Sequence, residues 1–136
     1  MDRILIKNYT AAAAVTVRRL VRFDATSPNP NVQHATAATD SIVGVSLMSG
    51  DSQPTGTPGI FAIGNRVDVV LLGAAEVEAG AAFSAGALLT ADGTGRAIVA
   101  APGLAVNNRI VGIALQPAGA AGDIVQINVN PMSLQG

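Results

Sequence analysis

The sequence predicts an all-β protein organised as one domain with little helix, and three features carry that expectation. The first is the stretch 109–130 (RIVGIALQPAGAAGDIVQINVN), with β-type runs at 110–115 and 123–130 joined by a loop of Gln, Pro, Ala and Gly. In its second run Val125, Ile127 and Val129 share one face and Gln126, Asn128 and Asn130 the other, the period-two pattern of a half-buried strand. The second feature is composition. The chain is 49% hydrophobic, yet it has three Phe, one Tyr and no Trp, with 15 Gly and 7 Pro spread along it. That suits many turns and a core of Val, Ile, Leu and Ala, not long helices. The third is internal repetition. IVGVSL at 42–47 returns as IVGIAL at 110–115, an offset of 68; at the same offset Leu20-Val21 matches Leu88-Leu89, Asp24 matches Asp92 and Thr26 matches Thr94.

Taken in order, residues 1–14 begin with the apolar patch Ile4-Leu5-Ile6 and end in four alanines. The alanine run is too short to hold a helix alone, and β-branched Val15-Thr16-Val17 follows at once. An extended N-terminal arm or an edge strand, ordered by contact with a partner, is expected. Residues 15–24 read as a strand with Val15, Val17, Val21 and Phe23 on one face and Arg18 and Arg22 on the other; Arg19 interrupts the apolar face and marks a bulge or an edge. A turn at 27–31 (SPNPN) and an extended small-residue stretch at 32–40 lead into the strand 42–47. Residues 48–59 (MSGDSQPTGTPG) form the longest low-apolar segment and read as an exposed loop. Its counterpart at 116–122 is shorter.

Strands are expected at 60–64 and 66–72, and 74–79 places Glu76 and Glu78 on one face. Residues 81–91 fit helix or strand, with Gly86 and the following Leu-Leu-Thr favouring extended structure. Asp92-Gly93-Thr94-Gly95 is a turn signal, followed by a short strand at 96–100 and a loop at 101–108. The run 110–115 is apolar on both faces, as in a strand covered on each side. One domain, 15–136, therefore contains two weakly related β-units, about 15–72 and 83–130, preceded by the arm 1–14.

The charges divide the chain unevenly. Residues 1–22 hold Arg3, Lys7, Arg18, Arg19 and Arg22 against Asp2, whereas the rest holds Arg66, Arg96 and Arg109 against eight acids. Nucleic-acid binders carry a domain-wide basic footprint with stacking aromatics, and both are missing, so no nucleic-acid partner is expected. A basic leading segment on an acidic body suits docking onto an acidic protein surface or a neighbouring copy. No apolar run approaches the roughly 20 residues that span a bilayer, and Lys7 and the arginines after the alanines do not fit a signal peptide.

The chemistry-bearing residues are few. There is no Cys, which removes thiol nucleophiles, disulfides and Cys-based metal sites, and the lone His34 reads as a surface-loop histidine. Glu76 and Glu78 match the spacing of a glycosidase acid pair, but neighbouring same-face strand positions have that spacing anyway. Gly93-Thr94-Gly95 lacks the glycine spacing and the Lys-Ser/Thr of a phosphate loop. No catalytic, cofactor-binding or metal-binding residue is assigned, and the chain reads as a non-enzyme.

The segments AAAAVTVRRLVRFDAT, VQHATAATDSIVGVSL, GNRVDVVLLGAAEVEAGAAFSAGALLTADGTGRAI and NNRIVGIALQPAGAAGDIVQINVNP, in that order, resemble the small tailed-phage proteins called capsid cement or head-decoration proteins. The resemblance runs from about Ala11 to Gly136. It implies a compact β-tulip or β-barrel-like body on the capsid exterior of the virion. It further implies a homotrimer at three-fold and quasi-three-fold positions, bound to the major capsid protein and stabilising the shell against internal DNA pressure, without cofactor or catalysis. On that reading Ile4, Leu5 and Ile6 supply apolar contacts to capsid or subunit, and Arg18, Arg19 and Arg22 polar ones, unless these residues only complete the protein's own sheet. Deleting residues 1–14 is then expected to leave the fold intact and weaken attachment. The alternative is a head-fibre or appendage module whose loop 48–59 touches host glycans or a receptor. A third reading is a small β-barrel enzyme using Glu76 and Glu78.

Overall fold

Eleven strands and no helix make up the residues that this computed structural model describes, 3–24, 31–47 and 59–135, with side chains from Leu5 onward. The strands are β1 (Arg3–Ala11), β2 (Val15–Thr16), β3 (Leu20–Phe23), β4 (Asn31–His34), β5 (Ile42–Leu47), β6 (Ile60–Phe61), β7 (Arg66–Glu78), β8 (Leu88–Ala91), β9 (Ala97–Val99), β10 (Asn107–Ala114) and β11 (Ile124–Gln135). Nine form one sheet in the order β1-β4-β3-β5-β7-β11-β10-β8-β9, while β2 pairs with β6. Because β1 also pairs with β7, strands β1, β4, β3, β5 and β7 close into a small barrel, from which β11, β10, β8 and β9 continue.

The longest strand explains how one sheet serves two cores. In the first part of β7, Val67 and Val69 pack with Val15, Val17, Val21, Val32 and Phe61, and Leu71 lies against the same cluster. Val70, on the opposite face, packs with Leu20, Val45, Leu89, Val111, Ile127 and Val129. Beyond Gly73 the parity reverses, and Ala75 and Val77 join the core of Val70. Gly73 has φ +106°, which glycine adopts without the Cβ penalty. It pairs with Arg3 of β1 and with Val129 of β11, so the phase shift falls where the strand passes from one partner to the other. The two strands expected at 66–72 and 74–79 are therefore one.

The 68-residue offset carries into the pairing register. Val21 pairs with Gly44 and Leu20 with Val45 in β3–β5; Leu89 pairs with Gly112 and Leu88 with Ile113 in β8–β10. Each IVG run then meets the following long strand in the same way: Val45 opposite Val70 and Ser46 opposite Val69, Ile113 opposite Asn128 and Ala114 opposite Ile127. Both glycines are required by close approach. A Cβ on Gly44 would fall onto the carbonyl of Val70, and one on Gly112 onto the carbonyl of Asn128.

Of the two alternatives for the N-terminal segment, residues 3–11 take the edge strand: β1 runs antiparallel to β7 from Arg3 to Thr10, meets β4 at Thr10 and Ala11, and places Ala11 (1% exposed) in the barrel core. Other expectations are corrected. Deleting residues 1–14 would open the barrel, so the fold cannot be expected to survive it. The strand expected at 15–24 is divided into β2 and β3 by a turn at Val17-Arg18, where Arg18 takes φ +61°. The strand at 60–64 stops after Phe61, and Gly64 (φ +86°) turns the chain into β7. β11 continues through Pro131, which has no N–H for the ladder and lies at the register shift between Ile110–Met132 and Gly112–Val129. The segment 81–91 is not a helix: it turns at Ala85-Gly86 (Gly86 φ +88°) and is extended from Leu88 to Ala91 as β8. Most of the expected turn at 27–31 and loop at 48–59 lies outside the described residues.

Candidate functional site

The arginines nominated from the sequence sit on or beside the turn that joins β2 to β3, and that turn is pinned from both sides. Arg18 N donates to Ser46 O (3.0 Å), Ser46 N to Arg19 O (2.9 Å) and Glu78 N to Arg18 O (2.9 Å). The buried Ser46 hydroxyl donates to Thr16 O (2.7 Å) and accepts from Arg19 N (3.1 Å). Leu20 N then donates to Gly95 O (2.7 Å), tying the first β-unit to the Asp92–Gly95 turn of the second.

The side chains follow the same bias toward internal partners. Arg19 donates from Nη1 to Thr94 O (2.8 Å) and pairs through Nη2 with Glu78 (3.3 Å), the side chains being 17% and 23% exposed. Arg96 lies 3.5 Å from the same Glu78 and 3.4 Å from Asp92. Arg22 Nε is 3.2 Å from Asp40 Oδ2, an ion pair whose alignment makes no hydrogen bond. Arg18 reaches Glu76 at 3.6 Å with both side chains more than 40% exposed. Exposed pairs of this kind contribute only about 0–1 kcal/mol, so Arg18 is free to exchange its partner at little cost. Arg19, less exposed and bonded also to backbone, is not.

Leu5 and Ile6 are 43% and 41% exposed on β1, which among the described residues has a strand partner on only one side until Thr10. Ile4 is on the same strand, with its side chain outside the described atoms. At the other end of β1, Tyr9 meets Phe23 edge to face at 5.3 Å. The sequence reading missed a second group of exposed apolar residues. The run 110–115 is covered at Ile110, Val111 and Ala114, but Ile113 is 37% and Leu115 50% exposed. Leu104, in the loop between β9 and β10, is 94% exposed.

Cavities are small. One of about 70 Å³ lies among Val17, Leu47, Val70 and Ala75 beside the Arg18–Glu76 pair, and others near Arg109 and near Phe23 measure about 140 and 240 Å³. Sites for small organic ligands usually measure roughly 300–1,000 Å³. Among the described residues no group of three or more His, Asp or Glu could hold a metal ion. Glu76 and Glu78, the one carboxylate pair considered for acid–base work, are both occupied by arginines.

The family model described as phage cement protein matches residues 5–130. The chain belongs to the phage cement protein family. A cement protein is a head-associated structural component of the phage particle, and its surfaces therefore matter more than its cavities. No curated protein matches this cement protein. Among solved structures it is similar to the head fiber gp8.5 N base of bacteriophage phi29, with a TM-score of 0.62 and 19% identity over 97% of this chain and 98% of that one. At that identity the likeness speaks for the fold alone.

Proposed function

We propose that this cement protein binds the outer surface of an assembled phage head as trimers at three-fold and quasi-three-fold positions, in contact with the major capsid protein, and strengthens the shell against the pressure of packaged DNA. The observation that carries the reading is the family match over residues 5–130. The physical rationale is linkage. A protein that binds only where shell subunits already meet stabilises the assembled state by mass action. Catalysis has no part in it.

Leu5 and Ile6, with Ile4 before them, are the apolar attachment residues on this reading, and Arg18 is the cation that trades Glu76 for a shell carboxylate. Arg19 and Arg22 act inside the protein, through Glu78, Thr94 and Asp40. The likeness to the phi29 head fiber base favours a second reading, in which the body seats an appendage that touches the host surface. Counting copies on mature heads by quantitative gel densitometry separates the two. The cement reading expects hundreds per particle; a few per particle would favour the appendage.

A further inference from the structure

We propose that the outward face of β8 and β10, centred on Leu88, Ile113 and Leu115, is the surface on which a second copy of this chain packs. The proposal deepens the oligomer in the reading above and rests on it for biological setting, but its argument comes from the chain's own repeat. The matched registers make Leu20, Val45 and Leu47 of the first β-unit the counterparts of Leu88, Ile113 and Leu115 in the second.

The second set is less covered than the first at each position, although Leu47 and Leu88 are both half-buried. Leu20 and Val45 are 0% and 1% exposed, because the sheet of the second unit lies over them and packs Val111, Ile127 and Val129 into the same core. The corresponding face of the second unit has no third unit to cover it, and Ile113 and Leu115 stay 37% and 50% exposed. It has nevertheless kept its apolar residues.

The immediate cross-strand neighbours are uncharged. Asn128 pairs with Ile113, and Leu115 N donates to Gln126 O. An apolar centre beside amide side chains, with charge only at its margin, where Glu76 lies opposite Gln126, matches an interface core with a polar rim. The first unit already shows what covers such a face, namely another sheet of this same chain. A second copy supplies that sheet, and closed symmetry among identical chains then buries the face on every copy.

The test uses the full-length protein, its variants Ile113→Glu and Leu115→Glu, the milder Leu115→Asn, and Leu104→Glu as a control at an exposed apolar residue off this face. Masses come from sedimentation equilibrium, with circular dichroism and thermal melts to identify folded samples. The parent and Leu104→Glu are expected to be oligomers of equal mass, and the folded face variants to fall to monomer mass. A monomeric parent, or folded face variants that keep the parent's mass, would overturn the proposal. Head binding is measured separately. A parent that binds heads as a monomer sinks this inference and the trimer of the reading above but leaves head binding standing, while one that oligomerises through this face but ignores heads sinks only the cement reading.

Discussion

His34 Nε2 accepts a hydrogen bond from the backbone N–H of Thr16 at 2.8 Å, which requires that ring nitrogen to be unprotonated. Burial lowers the histidine's pKa from its ordinary 6.5, and the positive charge of Arg19 lowers it further. An unfolded chain therefore takes up this proton at a higher pH than the folded one. The stabilisation is complete above pH 6.5 and is lost as pH falls from there toward the folded-state value. Asp92 acts in a separate, more acidic window. Burial pushes its pKa up, but bonds from the N–H groups of Thr94 and Arg96, the Thr94 hydroxyl and the charge of Arg96 outweigh this and hold it below 3.8. Urea midpoints of the parent should thus decline as pH drops from 6.5 to 4.5, and His34→Gln should flatten that decline. An equal slope in both would refute the assignment. His34 reads as a loop residue because the small-residue stretch 32–40 has no apolar alternation; only the pairing of β4 with β3, Val21 opposite His34, brings the ring to Thr16.

At the scale of elements, the two IVG runs show how much of the fold was legible. Their offset, the alternation at 124–130 and the Asp92–Gly95 turn were all readable, since each is a local pattern with a local cause. The parity switch at Gly73 and the closure of β1 onto β7 were not, because both depend on partners far away in sequence. The same holds for the arginines, whose positions were evident but whose carboxylate partners, Glu76 and Glu78 on β7 and Asp40 before β5, were not. The glycines of the two runs offer a direct check. Gly44→Ala and Gly112→Ala each drive a methyl into a backbone carbonyl of the neighbouring strand, and overpacking of that kind costs roughly 1–3 kcal/mol. Gly93→Ala meets nothing within 4 Å and should fall within about ±0.5 kcal/mol, as surface changes do. Equal stabilities of all three variants by urea denaturation would contradict the close-approach account.

For the whole molecule, the all-β body and its family were open to sequence reading because the order of many weak motifs is itself specific. The working surfaces were less so, since exposure is a property of the assembled sheet: 110–115 looked covered on both faces, and only the fold leaves Ile113 and Leu115 uncovered. What emerges is a two-core body whose internal ion pairs and shared β7 fix its shape, and whose apolar edge at Leu5 and Ile6 and apolar face at Ile113 and Leu115 stay exposed. The most direct test of that account is to add the purified protein back to DNA-filled heads that lack it and record the temperature at which they release DNA. The account predicts saturable binding and a release temperature several degrees higher at saturation. Saturable binding with no change in release temperature, or no binding to intact heads, would contradict it.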